Sequence, residues 1–226
     1  MKELHGVTRR GFLSGTVGAT LAGASLAGEK PEKKWEMKLS TSSIHYLHLP
    51  IEQACQRIAK LGYQGVDIWS GFAGCPHLDD VAKRLGPDGL KKMLADCGLK
   101  LFSFSVYRGG YRRYAELLGK AGGGVAVRGS TRAARAADLA SRMKKFIDGL
   151  KPLVELAEQY NSYLAIENHG GALLNTLDSL KAFVDTNTSP HLGIALAPFH
   201  LQGINCLLYT SPSPRDLSTP RMPSSA

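Results

Sequence analysis

Residues 163–170, Tyr163-Leu164-Ala165-Ile166-Glu167-Asn168-His169-Gly170, form an apolar run that ends in a carboxylate, an amide and an imidazole. Such a run, closed by Gly170-Gly171, predicts a buried strand over 163–167 that delivers polar groups at its C-terminal end. Downstream, apolar spacing predicts a helix over 176–186 and a sixth strand over 192–196. Upstream stands a long helical pattern over 136–160, with Pro152 as the point where it would bend. Before it come a strand over 125–127 led in by Gly122-Gly123-Gly124, a helix over about 111–121, and a strand over 100–106. Earlier still are a helical stretch over 78–97 broken near Gly86-Pro87, a strand over 65–69, and a helix over 50–61 opened by Pro50 and closed by Gly62. A first strand is read over 36–44.

Six strands alternating with helices imply a parallel sheet with covered faces, hence an α/β fold. Two closures compete, an open doubly wound sheet and a (β/α)8 barrel. No G-x-G-x-x-G opens a helix after strand one, which counts against a dinucleotide-binding sheet. The Gly122–Gly124 run lacks the Lys-Ser/Thr of a phosphate loop and reads as a turn. A whole eight-fold barrel takes about 250 residues. The chain has room for about six β/α units, so the barrel reading is of an incomplete (β/α)8 TIM barrel.

Composition agrees with a globular domain. In 226 residues, 43% hydrophobic with a formal charge of +9, a wholly disordered chain, a collagen and a polytopic membrane protein are excluded. The basic excess has no cluster interleaved with aromatics and so gives no signal for nucleic acid. The cysteines show no C-x-x-C pair and read as free thiols, with one bridge open to an oxidising compartment.

The ends stand apart from this pattern. Residues 1–27 read as an export signal: a polar start, the string Thr8-Arg9-Arg10-Gly11-Phe12-Leu13 resembling a twin-arginine signal, and a Ser25-Leu26-Ala27 cleavage site. The expectation is a periplasmic protein that meets a membrane only during export. Residues 206–226 are a Pro/Ser-rich tail, read as disordered and as resembling translated cloning or adapter sequence. On that reading natural sequence stops near Asn205.

In a parallel barrel, chemistry sits where strands end. Glu167, Asn168 and His169 end strand five, and a carboxylate there can bind a divalent ion or move a proton. His200 follows strand six and can face the same mouth. Asp67 and Trp69 end strand two; the aspartate holds a substrate hydroxyl or caps a turn, and the indole stacks on a sugar or packs in the core. His45 follows strand one and touches substrate or, with His48, belongs to a polar loop. Arg108 and Arg128 follow strands three and four, as anion ligands or solvated cations.

The strings Gly62-Tyr63-Gln64-Gly65-Val66-Asp67-Ile68-Trp69, Leu164-Ala165-Ile166-Glu167-Asn168-His169-Gly170 and Leu192 to Leu201 (LGIALAPFHL) resemble the xylose-isomerase-like TIM barrels, the sugar phosphate isomerases/epimerases. The resemblance runs from about residue 36 to 205 and makes 28–205 a partial barrel. It implies that Glu167 is a metal ligand and the catalytic acid/base, and that His200 binds substrate. It also implies an aspartate ligand where this chain has Ala197, and a histidine and a glutamate from strands seven and eight that have no counterpart here. A divalent metal (Mn, Mg, Zn or Co) is thus implied by the family and opposed by Ala197.

The implied reaction is isomerisation or epimerisation of a sugar or polyol by proton transfer next to a carbonyl, metal-assisted in the intact parent. Glu167 is the base, His200 a second catalytic group, and Asn168, His169, His200, Asp67, Trp69 and His45 the substrate-binding set. The fragment itself is expected to be inactive, and an oligomer is compatible with the pattern. The rivals are a sugar-binding barrel that has lost its metal site and a metal-dependent nuclease of abasic DNA, the latter opposed by the motifs and the export signal.

Overall fold

The computed structural model describes residues 37–108 and 110–202. The export-signal reading of 1–27 and the tail reading of 206–226 lie outside these residues. Six strands are described: β1 Ser40–Ser42, β2 Gly65–Trp69, β3 Lys100–Ser105, β4 Val125–Gly129, β5 Tyr163–Glu167 and β6 Leu192–Ala195. The helices between and after them are α1 Ile51–Lys60, α2 His77–Asp80, α3 Gly86–Asp96, α4 Ala115–Lys120, α5 Leu139–Gln159, α6 Leu177–Thr186 and α7 Pro198–Gln202.

All five strand pairings are parallel, and the sheet order is β1-β2-β3-β4-β5-β6. That order decides between the two closures. A doubly wound sheet reverses direction at a switch point, whereas a chain that always steps the same way through right-handed crossovers puts every helix on one face. The fold is a TIM-barrel-like partial (β/α) sheet. Among the described residues β1 and β6 are its two edges and do not pair with each other.

Side-chain alternation separates the faces. Val66, Ile68, Phe104, Ala126, Leu164 and Ile166 are fully buried and join Ile51, Ile58, Leu90, Met143 and Leu150 of the helices in one core. The alternate residues, Asp67, Trp69, Ser103, Val125, Val127, Tyr163 and Glu167, lie on the other, inner face and remain partly exposed. At Val66/Asp67 the register slips by one residue against β3, where Phe102 is the extra residue. The bulge brings Ser103 and Ser105 onto the inner face with Asp67. The ring of Phe102 lies where a Cβ on Gly65 would be, so only glycine fits at the start of β2.

Most boundaries match the sequence periodicity, and the differences have local causes. β1 is short because Ser43–Tyr46 coils into a 3-10 turn. The break read near Gly86-Pro87 is present: a wide π turn over Val81–Leu85 ends at Gly86, whose φ of +64° is open to glycine. Pro87 then opens α3. α5 runs through Pro152 without interruption. α6 starts with a capping box, in which Thr176 accepts from the Ser179 N–H and Ser179 accepts from the Thr176 N–H. Sequence periodicity gave no sign of α7, a helix of five residues carrying His200. No described helix is long and apolar enough to cross a membrane.

Two helical glycines separate propensity from packing. A methyl on Gly149 in α5 meets no atom within 4 Å, whereas one on Gly119 in α4 runs into the backbone carbonyl of Tyr160. Alanine gains about 1 kcal/mol over glycine in a helix interior, but an unyielding clash costs roughly 1–3 kcal/mol. Gly149→Ala should therefore raise the urea midpoint and Gly119→Ala should lower it. Equal shifts in the two variants would contradict this packing of α4 on the end of α5.

Candidate functional site

The last paired residue of β5 is Glu167, set in register between Gly129 of β4 and Ala195 of β6. Two small neighbours leave its carboxylate room on the inner face. It lines a cavity of about 290 Å3 with Trp69, Phe72, Tyr107, His169 and His200. The Tyr107 hydroxyl donates to Glu167 Oε2 at 2.7 Å. Burial, this hydrogen bond and the charges of Glu167 and Asp67 push the Tyr107 phenol well above its ordinary range, so it stays protonated and remains a donor.

One wall is aromatic. Trp69 and Tyr107 have ring centroids 5.2 Å apart, and Phe72 meets Trp69 edge-on at 5.6 Å. The indole is anchored from beneath, since Trp69 Nε1–H donates to Asp67 Oδ2 at 2.5 Å. The same carboxylate accepts from Ser42 at 3.0 Å and from Ser103 and Ser105 at 2.8 Å each. Asp67 is thus spent on its two neighbouring strands and one ring and does not line the cavity.

Opposite the wall stand two imidazoles. His169 and His200 have ring centroids 4.0 Å apart. His169 lies in a tight turn, its N–H donating to Leu174 O and its carbonyl accepting from Ala172 N–H. That turn is stapled to the loop after β4: Leu173 N–H donates to Thr131 O at 2.6 Å and Ala133 N–H to Gly171 O at 3.0 Å. His200 is presented by α7.

Of the residues expected from sequence, Glu167, His169, His200 and Trp69 come together at one cavity. Asn168 does not join them. It is fully buried, and its amide makes a reciprocal pair with the Ala197 backbone, Nδ2–H to O at 3.0 Å and N–H to Oδ1 at 2.6 Å. It ties the ends of β5 and β6. His45 is exposed on the 3-10 turn after β1 and Arg108 is exposed after β3. Alternation along β4 turns Arg128 to the helix side. Tyr107 and Phe72 were missed. Tyr107 continues the period-two series Ser103, Ser105 one step past β3, a signal that was there to read; Phe72 sits in an irregular loop with none.

A resident divalent ion wants several converging donors. Among the described residues no group of three His, Cys, Asp or Glu side chains converges in this way. One oxygen of Glu167 already accepts from Tyr107, and the end of β6 offers the methyl of Ala197. This donor set does not fit a divalent metal, and no chemistry below is routed through one.

The family model described as xylose isomerase-like TIM barrel matches residues 55–209. Several solved structures share the fold. The probable 3-DHS dehydratase AsbF from Bacillus anthracis is 18% identical with a TM-score of 0.60, over 74% of this chain and 65% of that one. The 3-keto-D-glucoside 4-epimerase YcjR from E. coli is 17% identical with a TM-score of 0.56, over 74% and 70%. The IOLI protein with a binding zinc atom is 18% identical with a TM-score of 0.58, over 75% and 66%. The chain therefore spans 65% of the first of these structures. No curated protein matches it.

Burial raises the Asp67 carboxyl above its ordinary value, and the hydrogen bonds from Ser105, Ser103, Ser42 and Trp69 pull it partway back. A carboxyl raised by folding holds its proton more tightly in the folded chain than in the unfolded one. Its contribution to stability is complete below the ordinary carboxylate range and is lost as pH rises through the raised value. Urea midpoints of the wild type, measured from about pH 3 to 8, should fall relative to those of Asp67→Asn over that window. Parallel profiles would show that Asp67 titrates no differently when folded.

Proposed function

Because the chain belongs to the xylose isomerase-like TIM barrel family, we propose that the barrel mouth binds a small sugar or polyol and that Glu167 moves a proton on the carbon next to its carbonyl. The observation that carries this reading is the Tyr107–Glu167 hydrogen bond at 2.7 Å, made inside a cavity walled by aromatic rings on one side and imidazoles on the other. A general base must be within hydrogen-bond reach of the proton it takes and must be held there. Tyr107 holds one carboxylate oxygen and leaves the other for the substrate C–H. The indole of Trp69 offers a flat surface to the C–H face of a sugar ring. His169 and His200 hydrogen-bond substrate oxygens, and one of them passes a proton to the carbonyl oxygen as the enediol forms. Return of the proton to the former carbonyl carbon, with an imidazole taking the proton of the other enediol hydroxyl, gives an isomer. Return to the original carbon from the other face, with the imidazole taking back the proton it gave, gives an epimer.

Support from relatives is of one kind: the neighbours of this fold include an epimerase and a dehydratase. The twin-arginine-like start supports an exported, periplasmic location for the same protein. A second reading is favoured by Ala197 and by the unfit donor set: a barrel that keeps the sugar pocket and does no chemistry.

Exchange of the carbon-bound proton into D2O, over a panel of aldoses and ketoses, tests the first reading. Glu167→Gln should lower the exchange rate by at least ~100-fold, and exchange that survives the substitution unchanged would remove Glu167 from the mechanism. Sugar-dependent quenching of Trp69 fluorescence with no exchange in the wild type would select the second reading.

Tyr107→Phe keeps the ring against Trp69 and removes only the donor. It should lower kcat by about 10-fold with KM within about 2-fold, since the lost interaction acts on the base and not on the sugar. A rise in KM alone would instead make Tyr107 a substrate ligand.

A further inference from the structure

A second concavity lies away from the inner face, where the loop after β4 meets the first turns of α5. It has a volume of about 330 Å3 and is lined by Thr131, Arg142, Lys145 and Phe146. Its surroundings are strongly positive. Between Arg128 and Lys145 the sequence holds Arg128, Arg132, Arg135, Arg142, Lys144 and Lys145 against one acidic residue, Asp138. The acidic groups nearby are already engaged: Asp138 with Arg135, and Asp148 with Lys144 and Lys151. Among the described residues, Arg128, Arg132, Arg142 and Lys145 have no carboxylate within ion-pair distance. The Arg142 guanidinium is oriented by one hydrogen bond, Nη2–H to the Arg132 carbonyl at 3.3 Å, which leaves the rest of its donor fork free. Thr131 adds a hydroxyl, and the buried ring of Phe146 makes an apolar floor. Burial pulls the Arg128 guanidinium below its ordinary range, with no anion beside it to offset the cost.

We propose that this concavity is a binding site for the oxyanion of a small molecule, a phosphate monoester or a carboxylate. The Arg142 fork and the Lys145 ammonium would take the charge, the Thr131 hydroxyl a third oxygen, and Phe146 the apolar part of the ligand. Cations set around a hollow, with a ring at its base, suit a compact ligand better than a nucleic-acid backbone or a bilayer, which want cations spread over an open face. The site also touches the candidate active site through the main chain. Thr131 and Arg132 belong to the loop that is stapled to the His169 turn, so an anion held at Thr131 steadies the rim on which that imidazole sits.

The test is titration of the full chain with inorganic phosphate, followed by calorimetry and by amide chemical shifts, against sodium chloride at matched ionic strength. Saturable binding in the millimolar range or tighter is expected, with shifts at residues 130–146 and at 169–174. Arg142→Gln with Lys145→Gln should weaken it by at least 10-fold, and Lys145→Gln alone, a single exposed change, by about 3-fold. Binding that is unaltered in both variants, or matched by chloride, would overturn the proposal. So would retention on anionic vesicles or duplex DNA with no response to phosphate, which would assign the cations to a macromolecular surface. None of these outcomes depends on Glu167, so the site stands or falls apart from the proton-transfer reading.

Discussion

One carboxylate on the inner face of the sheet organises what lies around it. Asp67 receives hydrogen bonds from β1, from β3 at two positions, and from the indole two residues ahead on its own strand. A half-buried charge is costly unless its lone pairs are met, and four donors meet them. The arrangement requires three serines at 42, 103 and 105 and a bulge that brings the last two into line. It fixes the first three strands against each other on the side where no apolar core is available to do so. It also sets the pitch of Trp69, and through ring contact that of Tyr107, whose hydroxyl reaches Glu167. The reactive end of β5 is thus braced from the opposite side of the cavity, two strands away.

The two faces of the sheet are held by different physics. On the helix side, Val66, Ile68, Phe104, Leu164 and Ile166 pack with the helices and make an ordinary close-packed core. On the inner side, Val125 and Val127 stand among serine, aspartate, glutamate, glycine, alanine, tryptophan and tyrosine. Hydrogen bonds there replace apolar burial, and the Asn168 pair with Ala197 does for β5 and β6 what Asp67 does for β1 to β3. Small residues at Gly129 and Ala195 leave the space that Glu167 occupies.

Much of the fold was legible because strands buried on one face and helices with a single apolar stripe leave clear periods. β2 and β5 run over the residues their apolar runs mark, and the helix start at Pro50 and the turns at Gly62 and Gly86 follow from backbone chemistry. The candidate site was legible where a polar residue ends a strand, as with Glu167, His169 and Trp69. It was not legible where the role depends on which way a side chain turns. Asp67 and Asn168 have the composition of ligands, yet their polar atoms are consumed by neighbouring strands that are distant in sequence. Tyr107 carries no unusual chemistry of its own and gains its role from a carboxylate 60 positions away. α7 is too short to show a period, so the helical setting of His200 could not be read.

The staple between the loop after β4 and the turn after β5 is made almost wholly of backbone atoms. Its geometry is therefore indifferent to which side chains occupy residues 131–133, which lie at the surface, whereas Gly171 with its φ of +74° and the buried Leu173 and Leu174 stay fixed. The surface positions can drift under selection for a new ligand while the imidazole beside them keeps its address. A rim built this way is a natural place for a lineage to change its chemical preferences without rebuilding the scaffold.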